Sequence, residues 1–119
     1  MDLTTVAGFL GATGDALINL DEDRQGWEDY VGDLLVYGGE VLVAVRDGEE
    51  LPPFPASLNT TIAVRVGGAF RASLIVASAM LSFIRFQVSG RAGVVLGYIT
   101  QVIRNLLAGV PTPTPPVGI

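Results

Sequence analysis

The sequence has no cysteine, no histidine and, because all seven of its basic residues are arginine, no lysine. Without thiols or imidazoles there are no disulfides, no thiolate nucleophile, no zinc site of the common kinds and no histidine acid/base catalysis. Without lysine there is no Schiff base. Charge is scarce too. Only 16% of the 119 residues are charged, against roughly 25% in ordinary soluble domains, while 50% are hydrophobic. A lone globule of this composition has too little polar surface to cover itself, so its apolar excess calls for a partner. The length fits one domain, or one subunit of an assembly, with a core of its own.

Acid is missing from the second part of the chain. All twelve carboxylates fall within residues 1–50, where only Arg24 and Arg46 oppose them, for a net of −10. Residues 51–119 carry Arg65, Arg71, Arg85, Arg91 and Arg104 and no acid, a net of +5 that restores the overall −5. Two arrangements satisfy this segregation. Either the halves neutralise each other within one copy, or the acidic surface of one copy meets the basic surface of the next around a ring or along a filament. Nucleic acid is not expected, because five arginines diluted in apolar sequence make a poor phosphate-binding footprint.

The residue pattern predicts an all-α fold of about four helices. Residues 3–18 form the first, with Gly8, Gly11 and Gly14 on one side where a neighbour could come close, although each glycine costs about 1 kcal/mol relative to alanine. Residues 27–45 form the second, with Trp27, Val31, Leu34, Leu35, Leu42 and Val45 on one side. The alternative is an α+β fold with a hairpin near 34–45, two strands turning at Gly38-Gly39. A proline-rich connector at 51–58, containing Leu51-Pro52-Pro53-Phe54-Pro55, separates the acidic N-terminal half (1–50) from an apolar, arginine-only hairpin (59–110). In that hairpin a helix over about 60–88 carries Arg71, Ser78, Ser82, Arg85 and Ser89 as one narrow polar stripe on an apolar cylinder. A helix over 91–108 follows, with Gly93, Gly97, Gln101 and Arg104 sharing a side. The proline-rich tail, 111–119, is expected to be a disordered end or a strap over a neighbouring subunit.

Two acidic motifs invite a chemical reading. Asp21-x-Asp23-x-Gln25-Gly26, with Asp29 beyond, resembles the opening of an EF-hand loop, but its twelfth position is Gly32 where calcium needs a bidentate glutamate. A helix N-terminus explains the same residues, with a capping aspartate followed by Glu28 and Asp29 against the helix dipole. Asp29 and Asp33 are spaced as an acid/base pair on a helix would be, yet nothing nearby supplies the rest of a site. No glycine run has the spacing of a phosphate loop. No metal, no cofactor and no enzymatic activity are therefore expected.

These readings converge on a non-enzymatic structural subunit that self-associates, or joins other subunits, into a shell, tube, collar or virion-type particle. The interface residues nominated by pattern are Arg65, Arg71, Ser78, Ser82, Arg85, Ser89, Gly93, Gly97 and Arg104 on the basic side, and Asp29, Asp33 and Glu40 on the acidic side. The alternative is a small membrane protein, holin-like, pore-like or a scaffold, with spans at 66–84 and 92–110 joined by a basic loop; the Gly93-x-x-x-Gly97 step would then pack helices. Each arginine within a span would cost roughly 2.5–3.5 kcal/mol. The acidic start Met1-Asp2-Leu3-Thr4-Thr5, followed by an apolar stretch broken by glycines, is unlike a secretory signal. A cytoplasmic or particle-associated location is the expectation, with the membrane as alternative.

Overall fold

The computed structural model describes residues 2–19 and 27–116. They form four α-helices: α1 (Leu3–Ile18), α2 (Trp27–Asp47), α3 (Ala69–Ile84) and α4 (Gly90–Ala108). Short 3₁₀ turns lie at Ala56–Asn59 and Arg85–Gln87, and there is no strand among the described residues. The fold is all-α, and the alternative hairpin near 34–45 is overturned, because α2 runs unbroken through Gly38 and Gly39. The chain divides into two compact units, Met1–Leu58 and Asn59–Ile119.

The first unit is built on an unusually close α1–α2 contact. A Cβ placed on Gly14 would fall 2.7 Å from the Gly32 carbonyl oxygen, and one on Gly32 would fall 2.9 Å from the Gly14 carbonyl oxygen. A Cβ on Gly39 would lie 3.1 Å from the Ala7 oxygen, which is why glycine persists inside α2 despite its helix penalty. Val6, Leu10 and Leu17 of α1, and Val31, Leu34, Leu35 and Leu42 of α2, are fully buried. Each such side chain contributes about 1.5–3 kcal/mol of burial.

Local chemistry sets the helix ends. Asp2 caps α1 by accepting the Thr5 N–H at 2.7 Å, and this hydrogen bond holds its carboxyl below the ordinary aspartate value. Glu28, buried in the first turn of α2, sits where the helix dipole favours a carboxylate. Helices α2 and α4 end the same way. Gly48 (φ +69°) and Gly109 (φ +72°) take the left-handed conformation, and the next residue donates back into the last turn, Glu49 to the Ala44 carbonyl at 2.9 Å and Val110 to the Asn105 carbonyl at 3.0 Å. This is the Schellman closure that glycine makes inexpensive.

The proline-rich connector packs against its own unit. The Tyr37 hydroxyl donates to the Pro52 carbonyl at 3.2 Å, the Tyr37 and Phe54 rings meet edge to face at 5.6 Å, Ser57 donates to Asp33 at 3.0 Å, and Leu58 is fully buried.

In the second unit, the helix expected over 60–88 is shorter. It begins at Ala69, because Thr60, Thr61, Ile62, Val64 and Val66 are β-branched and Gly68 has φ +66°. The α-helix closes at Ile84, and Arg85–Gln87 tighten into the 3₁₀ turn. Leu74, Ala77, Leu81 and Ile84 form its buried seam at alternating steps of three and four. Helix α4 is the core helix, burying nine residues from Ala92 to Leu106. The tail is fastened to this unit as far as it is described. Thr112 exchanges hydrogen bonds with the Ile62 backbone through its N–H (2.9 Å) and its hydroxyl (3.0 Å). Asn105 donates to the Pro111 carbonyl at 2.8 Å, and the Tyr98 hydroxyl to the Pro113 carbonyl at 3.3 Å.

The glycine contact yields a direct test by urea unfolding. Gly14→Ala should destabilise the first unit by about 1–3 kcal/mol through overpacking. Gly8→Ala, whose Cβ meets nothing within 4 Å, should be neutral or stabilising by up to about 1 kcal/mol.

Candidate functional site

Helix α3 is apolar on two opposite sides. Its seam is buried, and the other side, marked by Ala72, Val76, Ala79 and Phe83 at steps of four, three and four, is exposed. Ile75 flanks it at 51% exposure and Phe83 stands at 61%. At the α3–α4 turn Phe86 is 83% exposed, with the Arg85 guanidinium 5.2 Å from its ring centroid, and Val94 stands out from the first turns of α4. These side chains form an apolar face that ends in an aromatic tip with Arg85 and the exposed Arg91 beside it. Sequence reasoning missed them by treating the apolar residues of α3 as one undivided surface. The signal was two interleaved three-four patterns, one starting at Leu74 and one at Ala72.

The polar stripe lies on the flank between those two faces. The Arg71 guanidinium donates to the Leu107 carbonyl at 2.8 Å, satisfying an acceptor in the last turn of α4, where a cation is also favoured by the helix dipole. Arg104 donates to the Ser82 hydroxyl at 3.1 Å. Arg71, Ser78, Ser82 and Arg85 are half-buried, and Ser89 is exposed immediately before α4. Part of the stripe therefore joins the hairpin together. Arg65 is exposed, its Cβ and Cγ 3.8 Å from where a Cβ on Gly109 would lie. Gly93 fits under the Val88 carbonyl, 2.8 Å from where its own Cβ would be, whereas a Cβ on Gly97 would meet nothing within 4 Å. Both line an open hollow of about 410 Å³ with Phe86 and Val94.

In the first unit, Asp29, Asp33 and Glu40 share one side of α2 by helical register. Asp29 and Glu40 are exposed, and Asp33 accepts from Ser57. Beside Glu40 runs a larger, mainly apolar groove of about 620 Å³ between α1 and α2. Gly8, Gly11, Val36 and Val43 lie along it, and Glu40, Glu49 and Glu50 also line it. Arg46, at the same groove, is already engaged. It pairs with Asp47 through Nε at 2.9 Å and a terminal nitrogen at 3.2 Å, and donates to the Thr4 hydroxyl at 3.1 Å. The hydrogen bond from Arg46 holds the Asp47 carboxyl below its ordinary value.

Among the described residues no three acidic, histidine or cysteine side chains come together to hold a metal ion. The EF-hand-like segment from Asp21 to Gly26 lies outside the described residues. Of the two spans considered for a membrane hairpin, only the region of Ala69–Gln87 is long and apolar enough to cross, and just 22% of it is buried. Helix α4, interrupted by Arg91, Gln101, Arg104 and Asn105, does not meet that standard.

The structural role of Arg71 can be separated from that of the exposed arginines. Arg71→Gln should lower the stability of the full chain by about 1.5–3 kcal/mol, the worth of a charge-assisted hydrogen bond. Arg91→Gln should change it by less than about 0.5 kcal/mol, both read by urea denaturation. Comparison with protein-family models, curated proteins and solved structures returns no match to this chain.

Proposed function

We propose that this chain is a non-enzymatic structural subunit that self-associates into a larger assembly of the shell, tube, collar or virion type. The observation that carries this reading is the exposed apolar face of α3, continued by Phe83, Phe86 and Val94 at the hairpin tip. Covering a large apolar side chain is worth about 1.5–3 kcal/mol. Ile75, Val76, Phe83, Phe86 and Val94 together are therefore of the right size to offset an association cost on the order of 4–15 kcal/mol. The sequence contains no lysine, histidine or cysteine, the residue types that most often carry catalysis.

A second reading is favoured by one specific observation. Ala69–Gln87 has 19 residues, is largely uncovered and carries its arginines near its two ends, at Arg71 and Arg85, where long side chains can reach the headgroup layer. In that reading the chain is a small membrane protein with a single span at Ala69–Gln87.

Sedimentation velocity in detergent-free buffer, paired with flotation on liposomes, discriminates the two. A structural subunit runs as a discrete large species and stays with the soluble fraction. Phe83→Ser with Ile75→Ser shifts it to the monomer. A chain that aggregates without detergent and floats with lipid supports the membrane span instead.

A further inference from the structure

Resting on the self-association reading, we infer that the aromatic tip of the α3–α4 hairpin in one copy seats in the α1–α2 groove of the next. The two surfaces complement each other in shape and in charge. The tip presents Phe86 and Phe83 as protruding rings, and solvent-exposed aromatic side chains of this kind are the usual anchors of protein interfaces. The groove has an apolar floor and a size of about 620 Å³, within the range that encloses ring-sized groups. Its floor is open because Gly8 and Gly11 carry no side chains, and a Cβ on either would meet nothing within 4 Å.

Charge selects this pairing over the others. Arg85 and Arg91 stand at a tip whose unit contains no acidic side chain. Glu40, Glu49 and Glu50 line a groove whose Arg46 is already neutralised by Asp47 and tethered to Thr4. A tip-to-tip contact would bring arginines together and a groove-to-groove contact would bring glutamates together, and both juxtapositions are repulsive. Tip into groove is the pairing that covers the rings and matches the charges. Because it joins two different surfaces of the same chain, each copy keeps a free tip or a free groove for the next, the condition for a contact that repeats around a ring or along a filament.

The decisive experiment mixes two full-length variants at low salt and reads their mass by sedimentation velocity. Gly8→Trp fills the groove and keeps the tip; Phe86→Ser removes the anchor and keeps the groove. Each alone should lose roughly tenfold or more in association constant, equivalent to about 1.4 kcal/mol, and run as a monomer with the helical circular dichroism of the parent. An equimolar mixture should form a 1:1 complex and nothing larger, since only one productive interface exists between the two variants. A second pair guards against local misfolding. Glu49→Arg and Arg85→Glu should each weaken assembly, and mixing them should restore it past the dimer. If the parent chain assembles but neither mixture recovers any complex, or if Gly8→Trp alone assembles like the parent, the inference is overturned and self-association stands. A parent chain that is monomeric at high concentration overturns both.

Discussion

Helix α3 is apolar on two opposite sides, one covered inside its own hairpin and the other left exposed, and this division organises the second unit. Its seam, Leu74 to Ile84, is satisfied inside the hairpin. Three of the helix's four polar side chains, Arg71, Ser78 and Ser82, lie on one flank, where Arg71 reaches a carbonyl of α4 and Ser82 receives Arg104. What is left over is hydrocarbon facing outward. Water at a continuous apolar face costs free energy in proportion to the area exposed, and this is the ground on which a contact is proposed for it.

The first unit reaches a related result by different means. Its two helices touch through glycine, and the absence of side chains lets the backbones approach until a methyl group would no longer fit at Gly14 or Gly32 and would press on the Ala7 carbonyl at Gly39. The glycines of α1 then divide by position. Gly14 is consumed by the contact with α2, while Gly8 and Gly11, nearer the N-terminus, remain open and leave a hollow beside it. One residue type serves as a packing device at one end of a helix and as vacant space at the other.

Much of this architecture was legible in the residue pattern, for physical reasons that can be named. Helix α1 spans Leu3–Ile18, as its apolar spacing indicated, because its glycine penalty is offset by tertiary contact. Helix α2 crosses Gly38-Gly39, where a strand turn was a competing reading; propensity was overruled by packing, since both glycines are buried and Gly39 lies against the Ala7 carbonyl. The start of α3 was misplaced by nine residues because helical periodicity was extended through the β-branched residues of 60–66, which disfavour helix and precede Gly68 at positive φ. The roles of Arg71 and Arg104 were not legible. Their stripe was visible, but whether it faced outward or lay along the seam depends on the rotation of α3 about its axis, which a sequence pattern leaves open when a helix is apolar on both sides.

Both units are hairpins of helices adjacent in the chain, and this bears on the order of events in time. Contacts close in sequence form quickly, since little loop entropy is lost before they are rewarded. Each hairpin can therefore complete itself as a first-order event, before it meets another molecule, with Phe83 and Phe86 already on display. Any later association is a second-order step whose rate follows concentration. If copies associate as proposed, the interval between the two steps is set by how much of the chain is present.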